Sequence, residues 1–452
     1  MAGIGWKLEK MLDADTLAST LQAYLTGVAV TCAPWLLTTA VLVTLRTLAR
    51  GHGDTGFGEV ELLITMAYAV TLVLSAPVHV VISRFAADRL YEKKLELVAR
   101  PLRTTLAATL LAFLAIGGVI GAVFAPSLAL AVPAALLTAI IAAQWLLLAV
   151  GGGMSSPSGV LSAFAIGSVV SVLAAAGLEH AAGLGARGYL FGFTFGQAVA
   201  LAGMLVRILG DLPGEEAATA PGALREAFRD YRVLAVSALL VQLAVWIDKI
   251  CTWLVRDAAL ATALASASAL AWFAVIPAFT WIYLQVETSF YRVFRRYYGG
   301  IEGGAPLAEL EEGAAQVRTE AARLMRGAAI IQLCALVLAA LAAPYVVGGL
   351  GLPPGAVSLV RLGLVAASFQ ILGLLGLLLL YYLDLRREAL AAAIVQVSSI
   401  AIATLIALGA GASPALGAAL GSIPPALLAL GFVARAVRHL VPDTFQSQPY
   451  RR

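Results

Sequence analysis

Charge is scarce in this sequence. Lys, Arg, Asp and Glu make up 12% of its 452 residues, while 61% are hydrophobic. That charged share is about half that of an average soluble domain. One water-soluble domain cannot hide so much apolar surface, and a hydrocarbon solvent removes the need. Cysteine and histidine are rare as well, at three and four residues. Cys32, Cys251 and Cys334 fall in three separate apolar runs, which excludes a disulfide framework or a thiolate metal site and leaves them as packing residues. His52, His79, His180 and His439 are scattered without metal-ligand spacing, so neither metal nor cofactor is expected. Only His79 sits at membrane depth, where a hydrogen-bonded bundle histidine is the simplest expectation.

Two further absences narrow the function. The glycines of GGIEGG at 299–304 are not followed by the Lys-Ser/Thr of a phosphate-binding loop, so ATP binding is not supported. The soluble stretches are too short to house an enzyme. The first twenty residues lack the apolar core of a cleavable signal, because Lys7, Glu9, Lys10, Asp13 and Asp15 interrupt it. Ile4, Leu8, Met11 and Leu12 share a helical face instead, which suggests an interfacial helix within residues 1–20.

What the sequence does contain is apolar runs of spanning length. They cover 21–45, 62–82, 106–124, 128–150, 160–178 and 189–209, then 233–255, 258–286, 328–347, 357–383, 389–408 and 415–437. Barrel strands would be half as long and would alternate polar with apolar. The expectation is therefore an all-α integral membrane protein with twelve transmembrane helices in two six-helix bundles around a central cavity. With both termini cytoplasmic, the outer side receives only Arg46, Arg50, Arg187, Arg256 and Arg361, and Lys249 lies within the membrane. Every other Lys and Arg falls inside, as the positive-inside rule requires.

The bundles are expected at 21–210 and 232–438, joined by a soluble linker at 211–231. A cytoplasmic loop at 289–327 and a tail at 439–452 complete the division. The halves look related. The second span of each carries a proline, Pro77 or Pro277, and exits into a basic, aromatic segment, SRFAADRLYEKK or SFYRVFRRYY. Two such bundles around a midplane cavity suit an alternating-access transporter. Pro34, Pro77 and Pro277 are candidates for helix kinks.

Within this apolar background the run Trp246-Ile247-Asp248-Lys249 places an acid beside a base at membrane depth. A central Asp or Lys costs roughly 2.5 to 3.5 kcal/mol on insertion scales, so such residues line a polar path, pair, or snorkel. Trp246, Lys249 and Trp253 share one helical stripe, with Gln242 a turn earlier, and Asp248 projects about 100° away from it, so that the two charges do not share a face. Lys249 precedes Arg256 by seven residues, roughly 10 Å of helical rise, and could instead anchor at the outer interface. In the next span Phe279, Tyr283 and Glu287 recur every four residues, with Phe290 and Phe294 continuing the face. Aromatic faces stack on sugar rings and cations, and a carboxylate binds hydroxyl or ammonium groups. Four of the seven tryptophans, Trp246, Trp253, Trp272 and Trp281, fall in these two spans. Glu287 could alternatively pair with Arg292, and Arg84 could line a cavity mouth or anchor in headgroups. The candidate path is thus Asp248, Glu287, Lys249, Gln242, Trp246, Trp253, Phe279, Tyr283 and Arg84.

The opening MAGIGWKLEKML, the APWLL of the first span, SRFAADRLYEKK after the second, WIDKI in the seventh, YLQVETSFYRVFRRYY in the eighth and YYLDLRREAL after the tenth together resemble the PelG exporters. These are the inner-membrane component of the Pel exopolysaccharide system, within the multidrug/oligosaccharidyl-lipid/polysaccharide exporter superfamily. The resemblance runs through nearly the whole chain in order. It implies movement of a nascent amino-sugar polymer across a bacterial inner membrane. It also implies a cytoplasmic glycosyltransferase and two further membrane proteins, one a cyclic di-GMP receptor, as partners, beside membrane lipids and with no nucleic acid. Docking is expected on the basic segments 84–103 and 290–326, through Arg89, Lys93, Lys94, Arg292, Arg295 and Arg296. The inner loop 151–159, GGGMSSPSG, is uncharged and offers a partner no electrostatic hold.

Three other readings stay open on the residues. A flippase for a lipid-linked oligosaccharide would favour a cationic cavity for the diphosphate, whereas the deep charges here are as much acidic as basic. A cation-coupled drug antiporter would use Asp248 as a proton carrier. An assembly scaffold would need no charges at depth.

Overall fold

A computed structural model of the chain describes residues 16–446 apart from His52, Asp54, Thr55, Ser155, Ser156, residues 213–221 and Asp257. Residues 1–15 of the expected interfacial helix, residues 213–221 of the linker and the end of the tail lie outside the described residues. Within them the chain is helical, with no strand. Backbone N–H and C=O groups in hydrocarbon can be satisfied only within the segment, and helices satisfy them. The elements are α1 (Leu17–Gly51), α2 (Phe57–Tyr91), α3 (Ala99–Phe124), α4 (Leu128–Met154), α5 (Pro157–Ala182), α6 (Ala186–Gly210) and the short α7 (Ala223–Asp230). Then follow α8 (Arg232–Val255), α9 (Ala258–Trp272), α10 (Ile276–Gln285), α11 (Tyr291–Glu302), α12 (Leu307–Gly349), α13 (Ala356–Tyr382), α14 (Arg386–Gly409), α15 (Pro414–Gly421), α16 (Ile423–Arg438) and α17 (Leu440–Gln446). Among the described residues twelve helical stretches are long and apolar enough to cross a membrane. Leu111, Val119, Val123, Leu173, Leu338 and Leu341 are all more than 60% exposed, a surface suited to lipid rather than to water.

Two loops expected from the sequence turn out to be helix. The 151–159 segment is not a nine-residue connection, because α4 runs on to Met154 and α5 begins at Pro157. The 289–327 segment is a helical hairpin: α10 passes through a π turn at Val286–Phe290 into α11, and α12 starts at Leu307. Only Gly303–Pro306 breaks the helix between them. At 43 residues α12 is about 65 Å long, twice the hydrocarbon thickness of about 30 Å. Its charged start therefore extends well past any span its apolar end can make. Pro34 and Pro77 lie inside α1 and α2, where each removes one helical hydrogen bond. Pro277 sits instead in the first turn of α10, after a 3₁₀ turn at Phe273–Val275, where its missing N–H costs nothing.

The chain divides into two compact units, one holding Ala29–Gln242 and the other Leu243–Arg452 with the start of α1 up to Val28. In the first unit α5 and α6 pack along small residues. A Cβ at Gly192 would fall on the Ala175 backbone and one at Gly196 on Ser171 Oγ, so backbone approach sets this seam. One core cluster gathers Leu45, Leu63, Leu137, Tyr189 and Phe193, and another Leu102, Leu146, Leu147, Met204 and Ile208. Between α4 and α6, Gln144 Nε2 donates to Gln197 O at 3.0 Å and to Gln197 Oε1 at 3.1 Å. The α7 helix lays Ala223, Ala227 and Phe228 on Val81 and Phe85 of α2. The Tyr231 hydroxyl then donates to Asp88 Oδ2 at 2.6 Å.

In the second unit α8 packs Ala244 and Ile247 against α13, α14 and α15. Gly417 and Gly421 of α15 press on the α14 backbone at Thr404 and Ile400. Ala267 and Ala271 of α9 meet Ala343 and Val347 of α12 and Val360 and Leu364 of α13. The turn from α13 to α14 places Asp384 at φ 55°, a left-handed conformation that Asp tolerates, and its Oδ1 accepts from Arg386 Nε at 2.6 Å. Arg256 closes the far end of α14 by donating to Leu408 O at 2.9 Å.

Candidate functional site

Asp248 is 3% exposed and is the only charged residue in the buried class among the described residues. Lys249 Nζ lies 3.0 Å from Asp248 Oδ1 and donates to Val245 O at 2.9 Å. The expectation that neighbouring charges on a helix cannot serve one face is corrected here. The backbone does separate their Cβ directions by about 100°, but the four-carbon lysine stem folds back a full turn and carries the ammonium to the carboxylate. For the same reason Lys249 is not an interfacial anchor. Its side chain is 12% exposed.

The pair borders a cavity enclosed by α8, α9, α13 and α15. Leu264, Ser268, Trp272, Gly363, Ala366, Ala367, Gln370, Ala415 and Ala418 complete the lining. The space open to the centre of a water molecule is about 10 Å³, at the threshold for one water. Gln370 donates to Ser422 Oγ at 3.4 Å, while its Oε1 has no hydrogen-bond partner. The sequence reading missed Gln370 and Ser268. Each follows a serine two residues earlier, Ser266 or Ser368, in an otherwise apolar run, a pattern more readily taken for interhelical bonds than for part of a site.

A second polar surface follows the π turn. Phe279, Tyr283 and Glu287 are all half-buried and keep their i, i+4 spacing across α10 and the turn. Tyr283 packs beside Tyr24 of α1, and Gly27 brings that helix close to Thr280. Phe290 and Phe294 do not continue this face. The wider i→i+5 turn rotates Phe290 inward, where it is 1% exposed. There it stacks on Phe294 at 6.0 Å and meets Tyr382 of α13 edge-on at 5.7 Å. Phe294 in turn contacts Tyr298 at 4.6 Å. The aromatic run thus splits into a half-open face above and a packed cluster below.

The other candidates are dispersed. Gln242 and Trp246 are half-buried, with the indole nitrogen of Trp246 unpaired, and Trp253 is 43% exposed. Trp281 packs on α12 at Gly327, where a Cβ would stand 2.6 Å from its Nε1. His79 is not the hydrogen-bonded histidine expected, since its Nδ1 finds no partner among the described residues. Arg84 is exposed. Arg89 bonds Glu92 at 2.6 Å and lies over the Phe85 ring at 5.3 Å, and Lys94 reaches Glu92 at 3.3 Å. Lys93 occupies the left-handed turn that ends α2. That basic segment is partly self-neutralised; Arg292, Arg295 and Arg296 are all exposed on α11. Among the described residues no cluster of His, Cys, Asp and Glu could hold a metal.

A comparison with curated proteins found no match. Solved structures do match in fold. An inward-facing multidrug resistance MATE family transporter of the MOP superfamily aligns with TM-score 0.64 at 15% identity over 92% of this chain and 99% of that one. A MOP superfamily transporter from Pyrococcus furiosus gives 0.64 at 14% identity over 93% and 96%. An outward-facing MATE family transporter gives 0.58 at 14% identity over 93% and 99%. With twelve apolar helices on a transporter fold, the chain is a multi-pass integral membrane protein. Matched over residues 1–445 by the family's model, it belongs to the PelG family of exopolysaccharide exporters.

Proposed function

We propose that this protein carries a nascent, amino-sugar-rich polymer of the Pel type across the bacterial inner membrane, as the membrane path of a synthase and exporter assembly, with both termini cytoplasmic. The observation that carries the reading is the half-open face of Phe279, Tyr283 and Glu287, two aromatic rings followed by an acid at a π turn. Such turns recur at functional sites because they re-aim side chains at a small cost in helix geometry. Ring faces hold sugar rings by stacking, and one carboxylate draws hydroxyl and ammonium groups past them. A moving chain needs contacts that release as readily as they form. Asp248 is not assigned a polymer contact in this scheme, because Lys249 already meets its charge.

Secretion of polymer by cells carrying Glu287→Gln or Tyr283→Ala tests this, with the amount of protein in the membrane measured alongside. We expect a drop of about tenfold, the effect of about 1.4 kcal/mol at the rate-limiting contact. Normal secretion by both variants rejects the reading.

The cytoplasmic glycosyltransferase and the two further membrane subunits, one a cyclic di-GMP receptor, are the partners we propose, docked through the exposed row Arg292, Arg295 and Arg296. Rim charges of this kind steer association and set its salt dependence. Replacing all three by Glu is expected to abolish co-purification of the glycosyltransferase. Unchanged co-purification removes this surface from the scheme.

A further inference from the structure

A carboxylate enclosed in a membrane protein must be neutralised by a proton, a bound cation or a side chain. At Asp248 the structure shows which. The ammonium of Lys249 sits 3.0 Å from Oδ1 and 2.9 Å from the carbonyl of Val245. The adjoining cavity adds the unpaired Oε1 of Gln370 and the hydroxyl of Ser268. The carboxylate, the amide oxygen and the hydroxyl border a space of about one water, and the Val245 carbonyl accepts from the same ammonium, so the oxygen donors and the room suit a small monovalent cation. The charge count agrees, since α9, α13 and α15 bring no charged or titratable side chain to the lining. Cys251, on α8 and buried, is the other titratable neighbour.

We propose that Lys249 is a tethered cation. Its ammonium fills the position beside Asp248 and the Val245 carbonyl, next to the cavity that Gln370 lines, which would otherwise be open to sodium, lithium or a proton. The second unit therefore carries a cation site closed by its own chain, and no exchangeable ion is coupled to transport at this point. The inference stands on the geometry of this site and holds whatever polymer is carried.

Its test reads ion binding rather than secretion, so its failure is separable from failure of the export reading. The full-length protein is purified in detergent and its thermal unfolding is followed in sodium, lithium and potassium chloride against choline chloride at equal ionic strength. The parent protein is expected to unfold at one temperature in all four salts. Lys249→Met is expected to gain a saturable rise in unfolding temperature with sodium or lithium, or on mild acidification. The D248N/K249M double variant is expected to lose that response again. A saturable sodium or lithium response in the parent protein that Asp248→Asn removes overturns the proposal, because an external cation then already reaches the carboxylate. A folded Lys249→Met indifferent to every cation and to acid overturns it as well. Should Lys249→Met fail to accumulate, the double variant decides. Accumulation with the parent's indifference to salt supports the tethered cation, and a salt response that persists without Asp248 rejects it.

Discussion

The two units bury polarity in different ways. Among the described residues the interior of the first is neutral: its deepest polar side chains are Thr71, Ser75, Thr138, Gln144, Ser171, Gln197 and Ser237, and Gln144 donates to Gln197 across α4 and α6. The interior of the second holds an ion pair beside a small cavity and leaves two amide oxygens, Gln332 Oε1 and Gln370 Oε1, without partners. A neutral amide bond of this kind does little beyond registering two helices. A charge pair with idle acceptors beside it is costly to build and is retained where charge must be controlled. The difference assigns the structural burden to the first unit and the chemical one to the second.

The sharpest way to break this comparison is to strip one charge. Asp248→Asn leaves the ammonium of Lys249 enclosed with only the Val245 carbonyl and an amide for company, and removing one partner of a buried pair costs about 3 to 5 kcal/mol. The D248N/K249M double variant leaves no charge and should fall within about 1 kcal/mol of the parent, since neutral replacements of buried pairs are often tolerated. Thermal unfolding of the three proteins in detergent gives both differences. If Asp248→Asn unfolds like the parent, the pair is not the constraint described here.

Much of the fold was legible in the sequence because hydrocarbon imposes one rule on every segment. The six-plus-six pattern of apolar runs, read with the placement of Lys and Arg, gives the twelve spans directly. What hydropathy cannot show is where a helix continues after leaving the apolar layer. Residues 289–302 and 151–154 therefore read as loop, although α11 and the end of α4 are regular. The candidate site was half legible. Asp248 and Glu287 stand out as acids in apolar runs, but a helical wheel follows Cβ directions and ignores the reach of a lysine stem, so it separated two groups that the fold joins. The π turn was equally hidden. Its Phe290 packs against Tyr382 of α13, some 90 residues away in sequence, and a regular helical wheel counts Phe290 as part of the Glu287 face. Gln370 becomes visible as a site residue only once α13 is set beside α8.

A smaller perturbation sharpens the same contrast from the first unit. Gln144→Leu removes both donations to Gln197 while roughly conserving volume in a seam bordered by the buried Leu146 and Leu147. The Gln197 carbonyl keeps its helical bond, so only the amide oxygen is left without a donor. Interhelical bonds of this kind are worth about 0.6 kcal/mol on average in membranes, and an orphaned neutral acceptor adds up to about 1 kcal/mol. The expected loss is therefore about 1 kcal/mol, a fraction of that for Asp248→Asn, with secretion unchanged. The measurement is the same unfolding curve together with a secretion assay. A loss matching that of Asp248→Asn, or a failure of export at normal protein levels, would mean that the neutral seam is tuned as closely as the charged one. The division of labour between the units would then have to be abandoned.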